Sequence, residues 1–169
     1  MLQGNGLIPV KLIFLDIDGV MLPFPSSSSS TIFSNEALTV LEHVVATTGA
    51  EIVLSSTWRM DESAIEIIYK NFETFPSLSK IKFKNWNRTD LNLHSLRAAE
   101  IKNFLENKVP KLGLQVQQFL VIDDEPMTFE SKEPYLYFVN RTIQTESDIG
   151  LCKEHLQTAL SVLLGTKFG

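Results

Sequence analysis

The sequence predicts an α/β fold, a three-layer, doubly wound parallel sheet with helices on both faces. Three observations predict it. Short apolar runs of strand length recur along the chain. Amphipathic stretches of helical length alternate with them. The 169 residues carry no internal repeat and no domain-scale linker, so one domain over residues 1–169, with a core of about 7–164, is expected.

Each element has a local reason. Lys11–Asp16 (KLIFLD) is an apolar run ended by an acid, and it reads as a buried strand. Pro23, Pro25 and the run Ser26–Ser30 read as loop. Asn35–Thr48 places Ala37, Leu38, Leu41, Val44 and Val45 at helical spacing, with Ser34 or Asn35 to cap it and Gly49 to stop it. Glu51–Ser55 is a second buried strand, and Asp61–Phe72 a helix that Asp61 can cap. Lys80–Lys84 (KIKFK) alternates like a half-buried strand. Leu96–Asn107 is a helix ended before Pro110. Gln118–Asp123 (QFLVID) and Tyr135–Asn140 (YLYFVN) are further strands, and Lys153–Leu164 closes the chain as a helix.

Composition narrows the function. Apolar residues are 44% and charged residues 21%, a globular balance that excludes a disordered chain, a collagen-like repeat or a long coiled coil. A net charge of -5 is not the footprint of a protein that coats nucleic acid non-specifically. With Cys152 the single cysteine, no intrachain disulfide can form, and a reducing cytoplasm is the simplest compartment. No signal peptide or membrane span is expected, because Asp16 and Asp18 follow the early apolar stretches and no basic segment precedes them.

In such a sheet, ligands bind beyond the C-terminal ends of the strands. Those ends carry Asp16-Ile17-Asp18-Gly19, Ser55-Ser56-Thr57 and Asp123-Asp124-Glu125. Carboxylates crowded in a dry crevice repel one another and stay ionised together only around a cation. Oxygen donors without His or Cys suit Mg²⁺, which favours phosphate oxygens. Strand-end hydroxyls with helix N-terminal amides suit a phosphate. The plain alternative is that the acids only cap the helices that follow. Two separate acidic pairs after two apolar strands favour a Mg²⁺-dependent phosphoryl site.

Three motifs carry a resemblance. KLIFLDIDGV resembles the first motif of the haloacid dehalogenase-like (HAD) phosphohydrolases, IVLSST their second and FLVIDDE their fourth, in the family's order. More narrowly, LDIDGV, TGAEIVLSSTWR and VIDDE resemble the HAD domain of the Swiss Army Knife RNA-repair proteins. The resemblance implies a Rossmann-like fold and hydrolysis of a phosphomonoester through an aspartyl-phosphate. It implies Asp16 as nucleophile and Asp18 as general acid and base. It gives Mg²⁺ to the Asp16 carboxylate, the Asp18 backbone carbonyl and Asp124, and phosphate to Ser55 and the Ser56 amide. Gly19 lets the chain turn sharply, and Asp123 orients the basic residue of the third motif. Asp123 and Asp124 could exchange these jobs. That basic residue is usually Lys. Arg97 occupies the matching place, ahead of Lys102 and Lys84 as alternatives.

Weaker signals have ordinary readings beside functional ones. Residues Lys80–Lys102 hold six basic side chains against two acidic ones, with Phe83 and Trp86 among them. That window fits a basic lip for a nucleic-acid end, and equally an edge strand protected by lysines. Trp58 reads as core packing and Arg59 as an exposed residue at a helix start, with contact to substrate as the alternative. Glu125 is left open between a group behind the metal and a turn acid. His43, His94 and His155 stand on separate segments without a zinc-type partner, and Cys152 reads as an inert thiol. The gaps Gly19–Asn35 and Thr57–Arg97 are too short for a full cap domain, so the site is expected to be capless and open. An open site points to a large phosphorylated substrate, such as an RNA or DNA end. A small nucleotide, a sugar phosphate or a phosphoprotein is the alternative, as is a non-catalytic phosphate- or partner-binding domain.

Overall fold

The computed structural model describes residues 6–25, 31–90, 96–128 and 137–166. The expected strand at Tyr135–Asn140 begins outside the described residues. The Ser26–Ser30 loop and His94 lie outside them altogether.

Among the described residues, the chain forms one open sheet of four parallel strands in the order β2-β1-β3-β4, with helices on both faces. The strands are β1 (Ile8–Leu15), β2 (Glu51–Leu54), β3 (Leu114–Asp123) and β4 (Thr142–Gln144). The helices are α1 (Asn35–Thr48), α2 (Glu62–Phe72), α3 (Arg97–Asn103), the short α4 (Val109–Lys111) and α5 (Leu156–Leu164). A wide π-type turn, Phe104–Lys108, joins α3 to α4.

Strand periodicity divides the core into two layers. Ile13, Leu15, Ile52, Leu54, Leu120 and Ile122 face α1, α2 and α5. Leu12, Phe14, Val53, Phe119 and Val121 face α3 and the π-type turn, where Phe14 meets Phe104 edge to face at 5.5 Å. Both faces of the central strands are therefore buried, which is why they read as continuous apolar runs. The helix ends follow their residues. Ser34 Oγ accepts from the Ala37 N–H at 3.2 Å, and Gly49 ends α1 in the left-handed region. Asp61 Oδ1 caps α2 through the Ser63 N–H at 2.9 Å.

Lys80–Lys84 is not a strand, and neither is 137–140, the described part of the second expected strand. Lys80–Lys84 keeps an alternating pattern, with Phe83 buried and Lys82 and Lys84 exposed, but has no sheet partner among the described residues. Its backbone is satisfied by side chains instead. The Phe83 N–H donates to Tyr69 Oη at 2.7 Å, the Lys84 N–H donates to Asn87 Oδ1 at 2.7 Å, and the Lys82 carbonyl accepts from Asn87 Nδ2 at 2.9 Å. Residues 137–140 form a turn, with Asn140 at φ +66°. Tyr137 and Phe138 pack on Phe119, and pairing to β3 starts only at Thr142.

The chain leaves β1 for β2 on one side and returns to β3 on the other. The crevice therefore lies at the C-terminal ends of β1 and β3. Among the described residues, the segment between Gly19 and Asn35 contributes no helix and no strand over that crevice.

Candidate active site

Asp16 ends β1 inside the protein, 5% exposed, and its Oδ1 accepts the Ile17 N–H at 2.9 Å. Asp123 ends β3, is fully buried, and its Oδ1 accepts the Glu125 N–H at 2.9 Å. Asp124 follows, half-buried, with its Oδ2 accepting the Ser147 hydroxyl at 3.0 Å. One carboxylate oxygen from each of Asp16, Asp123 and Asp124 lies within 4.8 Å of the others. Arg97, the first residue of α3, faces two of the three. Its Nε is 3.3 Å from Asp123 Oδ2 and its Nη2 is 3.9 Å from Asp16 Oδ1.

The electrostatics follow from burial. Desolvation pushes the Asp16 carboxyl up to about 6, against the opposing pull of Arg97 and the Ile17 N–H. Asp123 is pushed up to about 8, by burial first and then by the charge of Asp16, again against Arg97. Without a cation, this pair is therefore driven to hold a proton. Asp123 Oδ2 is buried and makes no hydrogen bond among the described residues. An all-oxygen donor set, crowded and under-satisfied, suits a hard divalent cation.

The other expected site residues follow the C-terminal ends of β1 and β2. Gly19 sits at φ +75°, and a Cβ placed there would lie 2.3 Å from Asp124 Oδ2. Glycine thus supplies both the turn and the room for Asp124. Ser55 is fully buried beyond β2, its N–H bonded to the Leu15 carbonyl at 3.1 Å and its hydroxyl without a partner. Ser56 caps the next helical turn, Thr57–Met60, by accepting the Trp58 N–H at 3.2 Å. Asp18 is half-buried, and its Oδ2 accepts the Trp58 indole N–H at 3.1 Å.

Several residues differ from their expected roles. Trp58 does pack on Phe33, but it also holds Asp18, so packing is only part of its role. A half-buried indole N–H needs an acceptor, and that need was the available signal. Arg59 is not exposed at a helix start. It is 1% exposed, and its guanidinium donates to the Ser56 carbonyl at 3.0 Å and the Asp90 carbonyl at 3.2 Å. It also pairs with Glu100 at 3.4 Å, an acid the sequence reading passed over. Glu100 in turn lies 3.8 Å from Arg97. Ser147 was likewise missed, because its loop lies far from the acidic motif in sequence.

The basic window does not form one surface. Arg97 turns into the site, Arg88 is buried against Glu62 and the Phe83 carbonyl, and Lys102 pairs with Glu106. Lys82 lies over the Tyr69 ring at 4.5 Å. His155 is not isolated. Its Nδ1 accepts the Cys152 N–H at 3.1 Å and lies 3.4 Å from the sulfur. Burial pushes the Cys152 thiol up, away from the reactive thiolate.

A parallel sheet whose first and third strands end in converging acids, with an arginine between them, defines a HAD-type α/β domain. The chain belongs to the HAD domains of Swiss Army Knife RNA repair proteins, whose family model matches residues 12–156. That membership puts it among phosphohydrolase-type proteins. No curated protein and no solved structure matches the chain. Among the described residues, no helix is long and apolar enough to cross a membrane.

Proposed function

We propose that the protein is a Mg²⁺-dependent phosphomonoester hydrolase working through an aspartyl-phosphate on Asp16. The observation that carries this reading is the convergence of Asp16, Asp123 and Asp124 within 4.8 Å, with Arg97 facing two of them. Asp16 attacks phosphorus, the bond to the leaving oxygen breaks, and Asp18 protonates that oxygen. Water then attacks phosphorus, Asp18 takes its proton, and the bond to Asp16 breaks, which restores the carboxylate. The hydrogen bond from the Trp58 indole holds the Asp18 carboxylate in place for that role. The Ser55 hydroxyl, which lacks a partner, and the Ser56 amide bind phosphate oxygens. Arg97 balances their charge with a planar fork, and Asp123 orients Arg97. The Asp16 and Asp124 carboxylates and the Asp18 backbone carbonyl are the groups that would hold Mg²⁺. Bound there, the ion supplies Lewis-acid charge stabilisation to the phosphoryl oxygens.

The substrate class we favour is the terminal phosphate of an RNA or DNA strand. The family's description and the absence of a cap over the crevice among the described residues support it. The test is phosphate release from phosphorylated RNA and DNA oligomers, nucleotides, sugar phosphates and phosphopeptides, with Asp16→Asn as the blank. Mg²⁺-dependent release that favours oligomer ends, lost in Asp16→Asn, is expected. Preference for a small phosphate would refute the strand-end substrate. Activity retained in Asp16→Asn would refute the covalent route. Silence across the panel by a folded protein would favour a binding domain instead.

A further inference from the structure

Arg59 and Glu100 are buried charges that the mechanism above does not use. Arg59 is 1% and Glu100 6% exposed. Taking each charge out of water costs several kcal/mol, and well-packed apolar residues often replace such pairs without loss of stability. Their contacts indicate what they offer instead. The Ser56 carbonyl accepts both the Arg59 backbone N–H and its guanidinium Nη1, each at 3.0 Å. The second terminal nitrogen, Nη2, reaches Glu100 Oε1 at 3.4 Å. The second carboxylate oxygen of Glu100 lies 3.8 Å from Arg97 Nη1 and has no hydrogen-bond partner. One chain of charges thus runs from the serine turn after β2 to the guanidinium at the start of α3.

The distances around Arg97 give this chain a purpose. Arg97 stands 3.9 Å from Asp16, too far for a hydrogen bond. Asp16 therefore stays free to act as nucleophile. Glu100 also draws the guanidinium, through a different nitrogen, Nη1. Without it, the acids of the cluster alone would draw Arg97, which would close onto the nucleophile.

We propose that Arg59 and Glu100 are positioning residues that tie the phosphate-facing serine turn to Arg97 and hold Arg97 off Asp16. The proposal rests on the phosphoryl-transfer reading for its consequence, and on the ion-pair chain alone for its geometry. Arg59 acts through Ser56 and Glu100, and Glu100 acts through Arg97. Neither needs to touch substrate.

The experiment is a cycle of Glu100→Gln, Arg97→Lys and the double variant, read on a small phosphomonoester with Mg²⁺. Glu100→Gln keeps size and an acceptor for Arg59. It should lower kcat by about tenfold or more, and it should also lower the thermal midpoint, because Arg59 loses its buried counter-charge. Because Glu100 works through Arg97, the double variant should be no slower than Arg97→Lys alone. Multiplying losses, or unchanged turnover in Glu100→Gln, would overturn the proposal. If Glu100→Gln does not fold, Arg59→Lys, which keeps the charge but not the fork, takes its place with the same expectations.

A second readout does not depend on turnover. The Arg97 Nε–H resonance in ¹⁵N-labelled protein without substrate should shift, and its proton should exchange at a different rate, in Glu100→Gln. An unchanged Nε–H signal would overturn the positioning role even if the protein proved inactive. Inactive wild-type protein with a responsive Nε–H would instead refute the hydrolase reading and leave the positioning role standing.

Discussion

Gly19 carries two constraints at once. Its φ of +75° is a conformation that side chains disfavour, and the space a Cβ would need is already filled by the Asp124 carboxylate. Gly19→Ala should therefore do more than strain a turn. A destabilisation of about 2 kcal/mol is expected, combining the left-handed penalty with the displaced carboxylate. Because Asp124 must move, Mg²⁺ binding measured by calorimetry should weaken about tenfold or more, equivalent to at least ~1.4 kcal/mol. Unchanged Mg²⁺ affinity would show that Asp124 is not a ligand. Most of this site was legible from single residues, because strand-end acids, a following glycine and a Ser-Ser turn each have a local signature. Arg59, Glu100 and Ser147 were not. Their partners lie far away in sequence, and their roles depend on which segments the fold brings together.

At the scale of elements, α1 and the three apolar strands were legible because pattern and end signals agreed. Ser34 caps α1 and Gly49 stops it where the residues indicate. The two misread strands show where such agreement misleads. The alternation in Lys80–Lys84 comes from burying Phe83 beside Tyr69, not from pairing in a sheet. Asn87 substitutes for the missing strand partner. Its side chain accepts from the Lys84 N–H and donates to the Lys82 carbonyl, and the residue is 2% exposed. Asn87→Ala leaves these backbone groups unpaired beside a cavity. A loss of about 2–4 kcal/mol in denaturant unfolding is expected. A loss within ~0.5 kcal/mol would mean that solvent replaces Asn87 freely. In 137–140 the aromatic residues cover Phe119, and the left-handed Asn140 turns the chain before β4 can pair.

At the scale of the whole molecule, the acid cluster links stability to pH and to cation. Burial raises Asp16 to about 6 and Asp123 to about 8, whereas both titrate near 4 in an unfolded chain. Between those values the cation-free folded protein keeps protons that the unfolded chain has released. Its stability is therefore greatest, as far as these groups are concerned, below about pH 4 and falls as pH rises toward about 8. A bound cation favours the ionised acids and offsets that fall. Saturating Mg²⁺ should accordingly raise the thermal midpoint more at about pH 8 than at about pH 5. Equal shifts at the two values would contradict a cation bound beside these carboxylates.

The most direct test of the central claim is to trap a phosphoryl group on the protein during turnover. The protein is mixed with a rapidly hydrolysed phosphomonoester and Mg²⁺, quenched in acid within a turnover, digested and read by mass spectrometry. One phosphoryl group on the peptide carrying Asp16, absent from Asp16→Asn, is the expected result. Hydrolysis with no trapped phosphoryl group on Asp16, or with the group on another residue, would contradict it.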